Sequence, residues 1–207
     1  AWASNIGSGA ANINALSDAL VEDNSIYIGN DPSSSSNTAQ YNVGVGIDVL
    51  NSITTGDNNT AVGFYSLDAN TTTSDNTAIG YNALTSNTTG GSNTACGNAA
   101  MTSNTTGFRN TAVGQASLFN NTTGDENVAV GNYSLRENTS GEYNTATGYQ
   151  ALTKNTTADN NTAFGYKALN QNTTGTHNVA VGSQAGDAIT TGSDNIAIGY
   201  QALTTNV

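Results

Sequence analysis

The residues that could do chemistry in this chain are few and stand far apart. Cys96 is the only cysteine and His177 the only histidine. A reactive thiol needs a neighbour that lowers its pKa, and a metal site needs several ligands at suitable spacing. Cys96 stands where related segments of the chain carry Val or Ile, so we interpret it as a buried, inert thiol. We expect His177 to face solvent without a metal or acid–base role.

Carboxylates are the second candidate for chemistry. Five aspartates recur near one turn of a repeating pattern, and they are Asp57, Asp75, Asp125, Asp159 and Asp194. Weak calcium binding is one interpretation, but the spacing is irregular and lacks the Gly-Gly-x-Gly-x-Asp repeat of calcium-binding β-rolls. A solvated acidic edge is the interpretation we prefer. No nucleophile, base and orienting residue share a pattern, so we expect no enzymatic activity, no cofactor and no metal.

The element that must position these residues is a 17-residue repeat, plainest from Asn76 to Ser92. We number its positions from that asparagine, so that position 5 is a glycine. The glycine recurs every 17 residues without a slip in register, at Gly29, Gly46, Gly63, Gly80, Gly97, Gly114, Gly131, Gly148, Gly165, Gly182 and Gly199. A fixed period of this length predicts an all-β parallel solenoid with one coil per repeat. At about 4.8 Å per coil, the rod would be on the order of 50 Å long.

Apolar residues at three positions predict the core of each coil. Position 4 is mostly Val or Ile, and position 2 is Thr, Val or Ile, as in Val128 and Val130. Residues two apart share one face of a strand, and we expect this face to point inward. Position 9 is Leu in most coils, as in Leu84 and Leu118, and would form the second wall of the core.

Position 3 would then point outward, and from residue 61 onward it is always alanine. A solvated position would accept larger polar residues, so a column of methyl groups predicts close approach by another surface. A coil this thin encloses few apolar side chains, and association would stabilise it. We therefore expect a self-association interface along Ala61, Ala78, Ala95, Ala112, Ala129, Ala146, Ala163, Ala180 and Ala197.

Two further features belong to the turns. Position 12 is usually Asn but is replaced by Ile53 and Ile189, so we expect a dry, inward-facing site whose Asn side chains bond backbone or each other. The Thr-Thr-Gly that follows suits a turn whose glycine has positive φ. Many Asn-x-Ser/Thr triplets begin at position 12, so they follow from the repeat and need not be glycosylated.

The repeat also divides the chain. Residues 1–24 match its phase only weakly, and we interpret them as a degenerate first coil or a cap or junction, with a short helix over 13–20 as the alternative. Residues 25–207 form about eleven coils, the last one truncated. We expect the natural chain to continue past Val207, since a solenoid needs a polar cap.

Charge excludes one class of partner and hydropathy excludes another. The formal net charge is -11, with only four Lys and Arg residues. These cannot form a track for phosphates, so we expect no nucleic-acid partner. No apolar run approaches the roughly 18 residues needed to span a bilayer, so we expect no membrane insertion.

The segments Asn59–Gly63, Asn110–Gly114 and Asn195–Gly199 carry the pattern Asn-Thr/Ile-Ala-Val/Ile-Gly. This pattern resembles the head repeats of trimeric autotransporter adhesins of the YadA type, and similar arrays in bacteriophage tail fibres. The resemblance implies a left-handed parallel β-roll, assembled as a homotrimer and displayed outside the cell or virion for attachment. The coils here have 17 residues, whereas those adhesin heads use shorter ones, so we expect a larger turn between the two strands of a coil.

The function that these features predict is structural and adhesive. The chain would be a segment of an extracellular fibre that partners with itself and either supports a binding tip or touches a host receptor or glycan. Its candidate contact residues are the aromatics Tyr65, Phe108, Phe119, Tyr133 and Tyr143, which form no single row and so favour a passive shaft. The alternatives are a filament of end-to-end stacked coils and an ice-binding solenoid. We disfavour ice binding because the Thr residues of position 2 are expected to point inward.

Overall fold

The fold was analysed in a computed structural model, which describes residues 19–22, 24–29 and 38–204. Its strands form one sheet of twelve, paired in chain order. The strands are β1 (Ala19–Glu22), β2 (Ser25–Ile28), β3 (Val43–Val45), β4 (Thr60–Val62), β5 (Thr77–Ile79), β6 (Thr94–Cys96), β7 (Thr111–Val113), β8 (Val128–Val130), β9 (Thr145–Thr147), β10 (Thr162–Phe164), β11 (Val179–Val181) and β12 (Ile196–Ile198).

The strands from β2 to β12 are parallel, and each pairs with its neighbour at a shift of 17 residues. Ala112 of β7, for example, lies beside Ala129 of β8. This register is the one that the glycine spacing predicts, and it confirms the parallel β-solenoid. β1 is the exception, because it runs antiparallel to β2. Residues 19 and 20, the last two of the alternative helix over 13–20, lie in β1 and are not helical. The predictions for residues 1–18 lie outside the described residues.

The orientation of the strands is the reverse of the one expected from the sequence. The position-3 alanines are buried, with Ala61 through Ala180 fully inaccessible and Ala197 1% exposed, and no described residue at positions 2 and 4 is buried. The core is therefore the alanine column packed against the position-9 leucines such as Leu67 and Leu118. From Ala61 onward the coil interior is narrow, and once Leu fills it from one side only a methyl group fits on the other. Tyr27 is buried at position 3 of an earlier coil, where its neighbour in the next coil is Gly44.

The second wall of the core is confirmed at position 9, but it is not a strand. Leu67, Leu84 and Leu118 have φ near +50° and lie in turns. A left-handed conformation costs a leucine about 1–2 kcal/mol. Each leucine is held there because its side chain is fully buried and its N–H donates to a carbonyl of the next coil, as in Leu67 to Ala83 O at 3.1 Å. Each coil thus has one strand, of three residues from β3 onward, rather than two strands.

Two columns of buried asparagine join the coils. At position 12, Asn121 Nδ2 donates to Asn104 Oδ1 at 2.8 Å and to Gly124 O at 2.9 Å. At position 1, the N–H of Asn110 donates to Asn93 Oδ1 at 2.9 Å. Both columns are buried, which confirms the inward site at position 12. Position 1 lies on the same side of the strand as the position-3 alanines and is inward with them. Stacked amide ladders of this kind stiffen a solenoid along its axis.

The glycine of Thr-Thr-Gly is required for a reason other than the positive φ expected from the sequence. Its φ is not positive, unlike that of the position-5 glycines such as Gly63 (φ 125°). What it needs is space, because a Cβ on Gly90 would lie 2.3 Å from Gly107 O of the next coil. The requirement for glycine at this position is therefore set by the contact between coils.

One coil has a small residue at one core position and a large residue at another. In 178–194, position 9 is Gly186 and position 12 is Ile189, where most other coils carry Leu and Asn. A Cβ on Gly186 would lie 3.3 Å from Ile189 Cδ1, so the isoleucine reaches toward the space that a leucine would take. Gly186 keeps the positive φ of position 9, at 66°. The exchange is particular to this coil, because the coil 42–58 buries both Leu50 and Ile53 at the same two positions.

Candidate interaction surface

The outward side of the sheet is a continuous apolar surface, which we call the strand face and define as positions 2 and 4 of β2 to β12. It carries Thr, Val, Ile, one Cys and one Phe, and no charged residue. Its side chains are substantially exposed, with Val113 at 37%, Val130 at 36% and Phe164 at 57%. A solvated face of a sheet would normally alternate polar residues outward. An outward face of this composition is typical of a contact surface.

Aromatic residues border the strand face at position 6 in five of the coils. Tyr81, Tyr149 and Tyr166 are 43–50% exposed. The rings stack between neighbouring coils, with centroids 5.7 Å apart for Tyr149 and Tyr166 and 5.8 Å apart for Phe64 and Tyr81. The tyrosines thus pack over the next coil and also edge an exposed stripe.

The charged residues lie away from this surface. In the described coils they occupy only positions 7, 10, 11, 16 and 17, as in Arg109 and Glu126, which form an exposed ion pair at 2.7 Å. Exposed pairs of this type contribute about 0–1 kcal/mol, so their role is solubility more than stability. The rod therefore has an uncharged strand face and a charged turn side.

The alanine column expected to form an interface cannot do so. The nine residues are enclosed within their own chain, with at most 1% of each side chain accessible: Ala61, Ala78, Ala95, Ala112, Ala129, Ala146, Ala163, Ala180 and Ala197. Their restriction to a methyl group reflects the width of the coil interior. The same reversed orientation makes the predicted burial of Cys96 wrong, because the residue is half-buried on the strand face and not in the core.

The five candidate aromatics fall into two regions. Phe108 and Tyr143 are exposed at positions 16 and 17, at 43% and 51%. Tyr65, Phe119 and Tyr133 lie at positions 7 and 10, where Tyr65 is 37% exposed and the other two are half-buried. The structure brings Phe119 and Tyr133 together, because the guanidinium of Arg136 lies 5.9 Å and 5.8 Å from their ring centroids.

The aspartates of position 16 serve the backbone. Asp57, Asp125 and Asp159 each accept a hydrogen bond of 2.7–2.8 Å from an N–H of the preceding coil. Within the described ranges, no group of three or more His, Cys, Asp or Glu side chains is placed to hold a metal ion. His177 is exposed and its Nδ1 lies 3.1 Å from Thr176 Oγ1. The described residues therefore contain no set of ligands that would support the calcium interpretation.

Crowding of carboxylates perturbs one of them. Desolvation raises the pKa of Glu142 above its ordinary value of 4.5, and the negative charges of Asp125, Asp159 and Glu126 raise it further. The protonated form of Glu142 is thus favoured in the folded state relative to the unfolded chain. Glu142 is partly exposed, so the effect on stability is small.

Sequence reasoning missed the strand face, although a signal for it is present. Position 4 accepts side chains as different in size as Thr147, Cys96 and Phe164, whereas position 3 accepts only alanine from residue 61 onward. Tight packing tolerates little change in volume. The tolerant position is therefore the outward one and the invariant position is the core.

Comparison with known proteins adds no relative. The chain matches no protein-family model, and neither its sequence nor its fold gives a match to a curated protein or a solved structure. No helix long and apolar enough to cross a membrane occurs in the described residues. The class that the fold itself defines is that of β-solenoid repeat proteins.

Proposed function

We propose that this chain is a structural, adhesive segment of an extracellular homotrimeric fibre, displayed on a cell surface or a virion. The observation that carries this proposal is the strand face, which runs without a charge along the whole described solenoid. The resemblance of the repeat to trimeric adhesin heads and phage fibres supports the trimer and the attachment role. This role involves no catalysis and no cofactor.

The proposed contact between copies is the strand face and not the alanine column. Its Val and Ile side chains remain 36–41% exposed at Val43, Val45, Ile79, Val113, Val128, Val130 and Val181. Removing apolar area from water contributes roughly 25 cal/mol per Å². Because the face repeats at every coil, even a small gain per coil adds along the rod. Parallel, in-register copies would place like positions opposite each other.

Cys96 tests this geometry without any substitution. It is the only cysteine and lies half-buried on the strand face, in β6. In a parallel trimer the Cys96 thiols of three copies face one another. We expect a tris-maleimide reagent to give a three-chain product, and mild oxidation to give only two-chain disulfides. The matched control is Cys96→Val with Ser103→Cys, which moves the thiol to position 11 on the turn side.

Light scattering on the same samples decides the proposal. We expect a mass of three chains for the native protein and of one chain for Val130→Arg, which puts a charge on the strand face while leaving the core intact. A folded native monomer at micromolar concentration would overturn the trimer. Equal crosslinking of Cys96 and of the Ser103→Cys control would overturn the strand face as the contact.

A second function is favoured by one specific observation. Thr60, Thr77, Thr94 and Thr111 occupy position 2 in four successive coils and face outward. A regular array of outward threonines on a flat sheet is suited to order water, and the expectation that these residues point inward is wrong. The remaining coils carry Val128, Val179 and Ile196 at some of these places, which favours association over ice binding.

Ice binding has its own test. We expect no ice recrystallisation inhibition by the native chain at micromolar concentration. Inhibition by a monomeric sample that Thr94→Lys abolishes would favour ice binding over the fibre. The filament alternative is disfavoured by β1, which lies antiparallel against the edge of β2, where an incoming coil would otherwise pair.

A further inference from the structure

A shallow depression of about 310 Å³ lies on the turn side, away from the strand face. It is lined by Tyr133 and Arg136 of the coil 127–143 and by Gln150 and Thr153 of the coil 144–160. These residues occupy positions 7 and 10 of two neighbouring coils. The depression is thus built by the stacking of coils and does not depend on a second copy of the chain.

Aromatic rings hold its walls in place. The ring of Tyr133 meets Tyr149 edge to face, with centroids 6.1 Å apart and planes at 86°, and Tyr149 stacks on Tyr166. The guanidinium of Arg136 lies over both Tyr133 and Phe119. Thr153 Oγ1 donates to Tyr133 O at 3.0 Å and ties the two coils together. These contacts orient the arginine and the tyrosine before any ligand arrives.

Polar groups at the depression are left available. Arg136 lies 4.0 Å from the Glu137 carboxylate, which is longer than a hydrogen bond. The side-chain amide of Gln150 makes no hydrogen bond to the described part of the chain. A guanidinium offers five N–H donors in a fork that fits a carboxylate, and an amide offers both a donor and an acceptor.

Basic residues are concentrated near the depression, where they balance the three acidic residues of the same coils. Three of the four basic residues lie in coils 127–177, namely Arg136, Lys154 and Lys167. Lys154 Nζ donates to Gln171 Oε1 at 2.6 Å, and Lys167 Nζ lies 5.3 Å from the Tyr166 ring centroid. On a chain with a formal net charge of -11, this is where an anion is least repelled.

A second region of the same rod repeats the tyrosine and the threonine of this frame with the opposite charge, while Asn51 and Asn82 replace Phe119 and Gln150. Tyr65 and Asp68 occupy the places of Tyr133 and Arg136, and Thr85 Oγ1 donates to Tyr65 O at 2.8 Å as Thr153 does to Tyr133. Desolvation raises the pKa of Asp68, a hydrogen bond from Asn51 lowers it and the charge of Asp48 raises it. This region is a natural control for the charge of the site.

We propose that the depression at Tyr133 and Arg136 binds an acidic saccharide, with the sugar ring against Tyr133, its carboxylate on Arg136 and a hydroxyl on Gln150. Tyrosine faces suit the C–H face of a pyranose, and the planar guanidinium pairs with a carboxylate through two hydrogen bonds. The inference deepens the attachment role proposed above by naming the class of ligand, but the site itself lies within one chain.

Binding is measured by isothermal titration calorimetry with trigalacturonate, 3′-sialyllactose, and their neutral counterparts, methyl-esterified trigalacturonate and lactose. We expect at least one of the two acidic sugars to bind about tenfold or more tightly than its counterpart, because a charge-assisted pair is lost in the neutral sugar. Raising the salt concentration should weaken this binding. Equal binding of acidic and neutral sugars, or no binding of any at millimolar concentration, would overturn the proposal.

Three variants locate the site. Arg136→Asp should abolish acidic-sugar binding, and circular dichroism should show the native fold because Arg136 is exposed. Asp68→Arg should create a second site of the same preference at Tyr65. Arg109→Gln lies outside the depression, in the coil 93–109, and should leave the affinity within about twofold. Retained binding in Arg136→Asp would overturn the assignment.

The two proposals can fail separately. Light scattering on the calorimetry samples reports the oligomeric state, and the stoichiometry per chain should be one whether the sample is monomer or trimer. A monomer that binds acidic sugar contradicts only the fibre. A trimer that binds none contradicts only the saccharide site.

Discussion

Each strand of this solenoid presents two apolar faces, and only one of them is core. Ala112, Ala129 and Ala146 point inward and are fully buried, whereas Val113 and Val130 beside them point outward and are more than a third exposed. Hydrophobicity alone would assign them in the opposite way, because Val is more apolar than Ala. The comparison teaches that the interior of a thin coil selects for size, and that the larger apolar residues are left for another surface.

The largest effect should come from a charge placed on the inner face. Ala129→Arg forces a long cation into a space that fits only a methyl group, and should cost about 4 kcal/mol or more. We expect the variant to lose its β-sheet circular dichroism, or to melt far below the native chain. Val130→Arg, one residue away on the outer face, is the control and should keep the fold. Similar melting of the two variants would contradict the assigned orientation.

The second-largest loss of stability should come from the contact between neighbouring coils, at a glycine. Gly90→Ala places a Cβ 2.3 Å from Gly107 O, whereas Gly91→Ala places one 3.3 Å from Ser74 O. Overpacking of this kind typically costs about 1–3 kcal/mol. We expect urea unfolding to show that Gly90→Ala is clearly destabilised and Gly91→Ala much less so. Equal midpoints would mean that the coils are not stacked as closely as the structure shows.

The third-largest loss of stability should come from substituting a buried asparagine. Asn121→Ala removes donors to Asn104 and Gly124 and leaves Asn138 Nδ2 without its acceptor at 2.8 Å. An unsatisfied buried group costs about 1–3 kcal/mol. The neighbouring Asn120→Ala, at position 11, should change the free energy of unfolding by under about 0.5 kcal/mol. A larger loss at Asn120 than at Asn121 would refute the ladder.

The smallest effect belongs to the charged turn side and depends on pH. Because the pKa of Glu142 is raised above 4.5, its protonation favours the folded state. That contribution is fully present below pH 4.5 and is lost as the pH rises through the folded pKa. Glu142→Gln should therefore raise the melting temperature slightly at pH 7 and leave it unchanged at pH 3. An increase at pH 3 that matches the one at pH 7 would exclude this cause.

The same contrast explains which parts of the molecule could be predicted. The glycine register fixes strand pairing, since a 17-residue period brings Ala112 beside Ala129 in any parallel solenoid. The leucines of position 9 and the asparagines of position 12 are confirmed as inward by their burial. The asparagine site could be predicted because Ile53 and Ile189 replace the asparagine, which indicates a dry site. These predictions depend on spacing and on residue substitution, both of which are visible in the sequence.

The depression at Tyr133 illustrates what could not be predicted. Phe119, Tyr133 and Arg136 occupy two positions in two coils, and no linear pattern relates them. Their proximity depends on how the turn between positions 6 and 12 folds back over the preceding coil. That turn is held by hydrogen bonds between coils and by residues with positive φ, such as Tyr133 (φ 61°) and Leu135 (φ 47°).

The sequence by itself determined the period, the parallel pairing and the inward asparagine ladder of position 12, because a repeated side chain must meet its own copy in the next coil. Only the tertiary structure decided which side of the strand is the inside. Alternation along a strand divides positions 2 and 4 from positions 1, 3 and 5, but it is symmetric with respect to inside and outside. The width of the coil breaks that symmetry: with leucine on one wall, the opposite wall has room for alanine and asparagine, and valine and isoleucine are left facing outward.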